Sequence, residues 1–404
     1  MENINRKNKE KIGIIIIGSS LFEVPYLRNI PSGFSEIIYK TSNYVSKKYD
    51  VIIISPFYYK YKNDVIINKN LKIYYVYHPA IHRQKISIIN IVMELLSSIL
   101  SFSTQSALKI LSFRSQQNKV VIIYDKISGI FPLIIAKIIG FKVIYSEGNP
   151  FPWYLPYLNK KYNKISWGIN IFLGKIMCKN ADIIRAQSIC IKEGMIHQGI
   201  EKEKIFVIPV GVDPIFFKPS YNKDKSSFIV GYLGRLTEEK GGPLLYEIVK
   251  ESSLKLPQVK FLIIGLGPYK DKLEKLNNVI FIGNVQRKEL PQFINMADIF
   301  ISTYYDFALA DLEILSCGKP LIKLDSPEIN YIFKNKEEIL YAKNDINSFL
   351  KIITEVMNDQ KLIEKISHSA RDKILKDFTW EKISEKWIEL IDILLKRNNK
   401  KTEF

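Results

Sequence analysis

SFIVGYLGRLTEEKGG, residues 227–242, decides the reading of this chain. An uninterrupted apolar run ends at Leu233, a tight turn follows at Gly234, two cations appear at Arg235 and Lys240, and a helical pattern opens after the glycine pair. A continuous apolar strand that feeds a helix belongs to a parallel sheet covered on both faces. The same pattern recurs in both halves. The first half carries IGIIIIG (12–18), YDVIIIS (49–55), VVIIYD (120–125) and KVIYSE (142–147). The second carries VKFLIIGLG (259–267), VIFIG (279–283), ADIFIST (297–303) and KPLIKL (319–324). Helix-length segments separate these runs, so the fold class is α/β, with the architecture occurring twice.

The break between the two units reads as IPVGVDPIFFKPSYNKDKSS (208–227), where Pro209, Pro214, Pro219 and Gly211 precede a polar tail. The expected division is 1–211 for a first Rossmann-like domain, 212–378 for a second, and 379–404 for a closing helix and polar end. FTWEKISEKWIELIDILLKR (378–397) supplies that amphipathic helix. Ligands of open parallel sheets bind beyond the carboxyl ends of the strands, so two such sheets place the site in the cleft between domains.

Composition narrows the setting. Three cysteines (Cys178, Cys190, Cys317) and four scattered histidines support neither a disulfide framework nor a zinc site. The first ten residues are polar and the run Ile14–Ile17 is strand-sized, so a cytoplasmic location is expected. Charge is uneven: residues 1–210 hold 29 Lys and Arg against 13 Asp and Glu, and the remainder holds 30 against 28. Two readings stay open, an anionic partner such as a membrane surface or phosphate-bearing acceptor, and a lysine-rich solvated face. No nucleic-acid recognition motif accompanies the charge. ISIINIVMELLSSILSF (86–102) is apolar apart from one narrow polar stripe. It is read as a helix covering the sheet, or as one dipping into a membrane interface, but not as a span.

The chemistry concentrates in the second half. Arg235 and Lys240 flank a strand-to-helix turn, where a forked donor and a point charge can bracket a diphosphate. Downstream, DFALADLEILSCGKPLI (306–322) starts a helix whose first turn, around Leu309 and Ala310, can aim free amides at phosphate. Glu313 lies on that helix among apolar neighbours, where an ionised carboxylate accepts hydrogen bonds from a diol.

GRLTEEKG, FLIIGLGPYKDKLEKL, VIFIGNVQRKELPQFINMADIFIS and LEILSCGKPLI, in that order and spacing, resemble the retaining family-4 glycosyltransferases (glycosyl transferases group 1) of GT-B fold. The resemblance extends to ADIIRAQSICIKEGMIHQGIEKEKIFVIPVGVD (181–213) and to FTWEKISEKWIELI, similar to the family's last helix, which returns to the first domain. It implies that Arg235 and Lys240 hold a donor diphosphate and Glu313 the ribose, and it makes these three the catalytic candidates. Gly234, Gly265 and Gly267 would line the nucleotide, Val285 would contact the base through its backbone, and Asp306, Leu309 and Ala310 would complete the donor site. Gly33, in IPSGFSE (30–36), sits where the family brings a glycine-rich loop toward the phosphate.

Two departures stand out. The family pairs the carboxylate at 313 with another glutamate eight residues earlier, where this chain has Tyr305 beside Asp306. It usually places a histidine just after the strand read here as KVIYSE, where this chain offers Glu147, Gly148 and Asn149. No carboxylate pair of the D-x-D sort lies near a strand end, so neither metal nor cofactor is expected and the cations would take the metal's part. In EGNPFPWYLPYLNKKYNK (147–164), Trp153, Tyr154 and Tyr157 precede Lys160, Lys161 and Lys164, a composition suited to sugar stacking or to a headgroup zone, or to a packed loop. The expected function is transfer of a sugar from a nucleotide-sugar to a glycan or lipid-linked acceptor at the cytoplasmic membrane face, with retention. The alternative is a catalytically weak nucleotide-sugar-binding subunit or scaffold of a glycan-assembly complex.

Overall fold

A computed structural model describes residues 13–18, 33–57, 64–77, 98–115, 119–153, 164–220, 227–327 and 329–399. Two sheets organise it. The first contains β1 (Gly13–Ile17), β2 (Asp50–Phe57), β3 (Val65–Asn68), β4 (Leu71–Tyr77), β5 (Lys119–Ile123), β6 (Lys142–Glu147), β7 (Ile183–Ala186) and β8 (Ile205–Val207), in the order β3-β4-β2-β1-β5-β6-β7-β8. All pairings are parallel except β3 with β4. The second contains β9 (Phe228–Leu233), β10 (Val259–Ile264), β11 (Val279–Gly283), β12 (Ile299–Ser302), β13 (Leu321–Leu324) and β14 (Leu340–Ala342), all parallel, in the order β11-β10-β9-β12-β13-β14. That order is the doubly wound one, whose switch point lies between the first strand and the fourth.

The apolar runs become strands because both faces are covered. In β1, Ile14 and Ile16 enter one core cluster while Ile15 and Ile17 enter another. Successive strand side chains point to opposite faces, so an all-isoleucine strand satisfies two layers at once. In β10, Leu262 and Ile264 face one layer and Phe261 and Ile263 the other.

The helices described are α1 (Gly33–Val45), α2 (Thr104–Leu111), α3 (Ile130–Ile138), α4 (Lys164–Asn180), α5 (Ile189–His197), α6 (Gly242–Lys255), α7 (Lys270–Leu273), α8 (Leu290–Met296), α9 (Leu309–Ser316), α10 (Ile346–Met357), α11 (Gln360–Asp377) and α12 (Trp380–Asn399). One core cluster runs from the first sheet and α1 through Val210, Val212 and Phe217 into the second sheet and α12. The Val212 amide donates to the Phe378 carbonyl at 2.9 Å and the Trp380 amide to the Val212 carbonyl at 3.2 Å, so the chain enters and leaves the second domain side by side. Beyond this crossing, α12 packs on α1. Buried Trp387 lies under the Arg185 guanidinium at 5.5 Å, and Asp392 takes hydrogen bonds from Tyr49 and Lys48.

The apolar stretch 86–102 is described only from Ser98, where a π-helical turn (Ser98–Ser103) leads into α2 and Phe102 packs into the first-domain core. Residues 86–97 lie outside the described residues, as do Tyr154, Tyr157, Lys160 and Lys161. Among the described residues, no helix is long and apolar enough to cross a membrane.

Candidate functional site

Three loops meet at the carboxyl ends of the second sheet. After β9, Gly234, Arg235 and a 3-10 turn (Glu238–Lys240) lead into α6; after β10 comes Gly265-Leu266-Gly267; after β12 comes the segment ahead of α9. The first two run in backbone contact. The Gly234 amide donates to Ile264 at 3.0 Å, and the Leu236 amide to Leu266 at 2.9 Å. A Cβ on Gly265 would stand 1.9 Å from the Gly234 carbonyl oxygen, and one on Gly267 would stand 2.4 Å from that of Leu236. Both glycines are therefore required by the close approach of the loops that carry the cations.

Arg235 reaches out from this floor, its side chain 67% exposed and paired with Glu239 at 2.5 Å. Lys240 lies inward, its ammonium 3.4 Å from the centre of the Tyr304 ring, with no hydrogen bond or ion pair to its Nζ among the described residues. Burial, and then repulsion from Arg235, bring its pKa down to about 8. Two mutually repelling cations beside a cleft can receive a multivalent anion.

The segment after β12 is held by a group the sequence reading did not weigh. Lys323 of β13 is wholly buried, and its ammonium donates to Ser302 Oγ at 2.9 Å, the Asp306 carbonyl at 2.7 Å and Asp311 Oδ2 at 2.8 Å. Asp311 in turn accepts the Ala308 amide at 2.9 Å. This frame sets the start of α9, where the amides of Leu309 and Ala310 have no intrahelical acceptor. Asp306, read from the sequence as part of the donor site, has its carboxylate engaged. It accepts Ser188 Oγ from the first domain at 2.7 Å and the Phe307 amide at 2.8 Å, so here it links the domains.

Glu313 is buried on α9, and burial pushes its carboxyl up to about 7 against the pull of Arg287. Arg287, in a 3-10 turn (Arg287–Glu289) after β11, donates from Nη2 to Glu313 Oε1 at 2.6 Å. Its Nε pairs with Glu36, in the first turn of α1. Gly33 opens that same helix, which brings it to the cleft; Val285, two residues before Arg287, is partly buried against the core. Arg287, Glu36, Ser188 and Lys323 were all missed. Arg287 stood inside a motif stretch, but nothing local distinguishes it from a surface arginine.

In the first domain, Glu147 at the end of β6 is enclosed. Its Oε2 accepts Tyr145 Oη at 2.7 Å and Trp153 Nε1 at 2.9 Å and pairs with Lys126 at 3.1 Å, while Oε1 accepts the Asn149 amide at 3.0 Å. Trp153 is fully buried, which selects the packed-loop reading for this ring over a sugar-stacking one. Its indole is spent on Glu147 and on packing against Gly174, while Gly194 lies against its backbone. Among the described residues, no group of three or more His, Cys, Asp and Glu side chains could hold a metal.

Residues 215–373 match the family described as "Glycosyl transferases group 1". The chain carries that match over about two fifths of its length. Its fold is GT-B: sucrose-phosphate synthase of Thermosynechococcus elongatus superposes with a TM-score of 0.75 at 16% identity, covering 96% of this chain and all of that one. Anabaena HepE in complex with UDP and glucose gives a TM-score of 0.69 at 15% identity, covering 94% and 99%. Among curated relatives, a sulfoquinovosyl transferase of Arabidopsis thaliana is 27% identical over 63% of this chain and 52% of its own length. A UDP-Gal:alpha-D-GlcNAc-diphosphoundecaprenol alpha-1,3-galactosyltransferase of Escherichia coli is 29% identical over 51% of this chain and 58% of its own length. The matches thus span between half and three fifths of those two relatives.

Proposed function

We propose that this chain transfers a sugar from a nucleotide-sugar donor held by the second domain to a glycan or lipid-linked acceptor held by the first. The observation that carries this reading is the pair Arg235 and Lys240, beside the open amides of Leu309 and Ala310 at a doubly wound switch point. The UDP and glucose bound by Anabaena HepE and the lipid-diphosphate acceptor in the name of the Escherichia coli relative point the same way.

In the reaction, the bond from the sugar's anomeric carbon to the β-phosphate oxygen breaks and a bond to the acceptor hydroxyl oxygen forms. Negative charge develops on the departing diphosphate, where preorganised cations and amides lower the barrier without a metal. The first-domain carboxylate nearest the end of β6, Glu147, is fully engaged by Lys126, Tyr145, Trp153 and Asn149. Tyr305 stands in place of a second glutamate. The reading is therefore transfer with retention: the acceptor attacks from the leaving-group side, and the departing phosphate oxygen takes the acceptor's proton. A cytoplasmic membrane face is the proposed place of work. The first-domain excess of positive charge supports it, as do exposed Leu108, Ile138 and Phe172 on α2, α3 and α4, with exposed Lys175 and Lys179.

A thermal-shift screen against UDP-, GDP- and ADP-sugars tests the donor half of this reading. A donor at 100 times its dissociation constant adds about 2.7 kcal/mol of stability. Release of free nucleotide only when acceptor is added tests the transfer. Tyr305 in place of the glutamate favours a second reading, a catalytically weak nucleotide-sugar-binding subunit. Stabilisation by a donor with no turnover on any lipid-linked or glycan acceptor would select it.

A further inference from the structure

We infer that Arg287 positions Glu313 for the donor ribose and links that positioning to the first domain through Glu36. The inference rests on the proposed reading of Glu313 as the ribose acceptor. One guanidinium stands between two buried carboxylates from different domains. The side chain of Arg287 is 21% exposed, those of Glu36 and Glu313 only 5% and 3%. Its Cζ lies 5.1 Å from the centre of the Phe217 ring in the interdomain connection. Nη2 takes Oε1 of Glu313, and Oε2 accepts no hydrogen bond among the described residues. The carboxylate is thus turned by Arg287 so that one oxygen is anchored and the other is left for a hydroxyl donor.

The charges around Glu313 make this arrangement conditional. Burial raises both Glu313 and Glu36, and Glu36 raises Glu313 further. Arg287 opposes protonation of both, and although burial works against its own charge, Glu313 and Glu36 hold it above the ordinary arginine value. Behind Glu36 stand Lys40 and Asp213, paired at 3.1 Å, and one turn beyond Glu313 stands Cys317, itself raised by burial. A protonated Glu313 gives the ribose a neutral acceptor, and a charge-assisted bond is about twice as strong as a neutral one. Moving the first domain, and Glu36 with it, changes how much of Arg287 serves Glu313, so donor grip depends on domain alignment.

The test is calorimetric binding of UDP and of 2′,3′-dideoxy-UDP between pH 6 and pH 8.5, or of the guanosine pair if the donor screen selects GDP. The ratio of the two affinities isolates the ribose contribution and cancels titration of the phosphate. In the wild type the preference for the ribose form should be full above pH 7 and fall about tenfold below it. Arg287→Met should move that fall upward by at least one pH unit, and Arg287→Lys should restore most of the preference at pH 7. Glu36→Gln, which leaves Arg287 to Glu313 alone, should move it downward, and it keeps the test open if Arg287→Met does not fold. An unchanged pH dependence in Arg287→Met, or an upward shift in Glu36→Gln, overturns the inference while the donor reading stands. Equal binding of the ribose and dideoxy forms by the wild type at every pH overturns the ribose assignment of Glu313, and the inference with it.

Discussion

Replacing Lys323 with methionine removes the only charge bonded to Asp311 among the described residues and leaves a carboxylate buried. Lys323 is 0% exposed and the Asp311 side chain 4%, with 2.8 Å between Nζ and Oδ2. Breaking one side of such a pair costs about 3–5 kcal/mol, because the stranded charge loses its partner without regaining water. Lys240 is near enough to feel Asp311, which places the expected cost toward the lower end. For a domain of this size each kcal/mol lowers the melting temperature by about 2–4 °C, so the second domain should melt roughly 6–20 °C lower by scanning calorimetry. Adding Asp311→Asn should recover at least half of that loss, since the stranded charge disappears while the amide oxygen still accepts the Ala308 amide, now bonded at 2.9 Å. A fall of less than 2 °C in the single variant, or a double variant less stable than the single, would refute the electrostatic account of this frame.

Arg235→Ala and Lys240→Ala should each slow transfer by about two to three orders of magnitude while melting stays near wild type, as for loss of one preorganised anion donor; full activity in either variant removes the diphosphate assignment. Lys240 is protonated below its pKa of about 8, so kcat/KM for the donor should decline as pH rises through that value, and Lys240→Arg should abolish the decline. Transfer should persist in EDTA, and loss of activity rescued by Mg²⁺ or Mn²⁺ would show that the cations do not replace a metal. Binding to acidic vesicles should be strong at low salt and weaken steeply toward physiological ionic strength, where the Debye length is about 8 Å, and changing Lys160, Lys161 and Lys164 to Gln should remove that salt-sensitive part; equal binding to neutral vesicles would make those lysines a solvated face.

The repeated α/β architecture, the strand-to-helix turn at Gly234–Lys240 and the order of the motifs were all legible in the chain itself. Each depends on contiguous residues: a strand covered on both faces is apolar at most positions, and a loop pressed on its neighbour must carry glycine where Gly265 and Gly267 stand. The tertiary structure alone decided which charges meet. Glu36, Arg287 and Glu313 come from a helix of the first domain, a turn after β11 and a helix after β12, and no local pattern marks them as partners. The same holds for Ser188 with Asp306, and for Lys323, a lysine in an apolar strand whose burial is tolerable only because Asp311, Ser302 and the Asp306 carbonyl converge on it. For Trp153, too, the tertiary structure chose between readings that the sequence left open. An aromatic beside prolines and lysines suits a surface ring or a packed one, and the buried carboxylate of Glu147 takes its indole inward, because a polar group out of water is stable only when its oxygens are bonded.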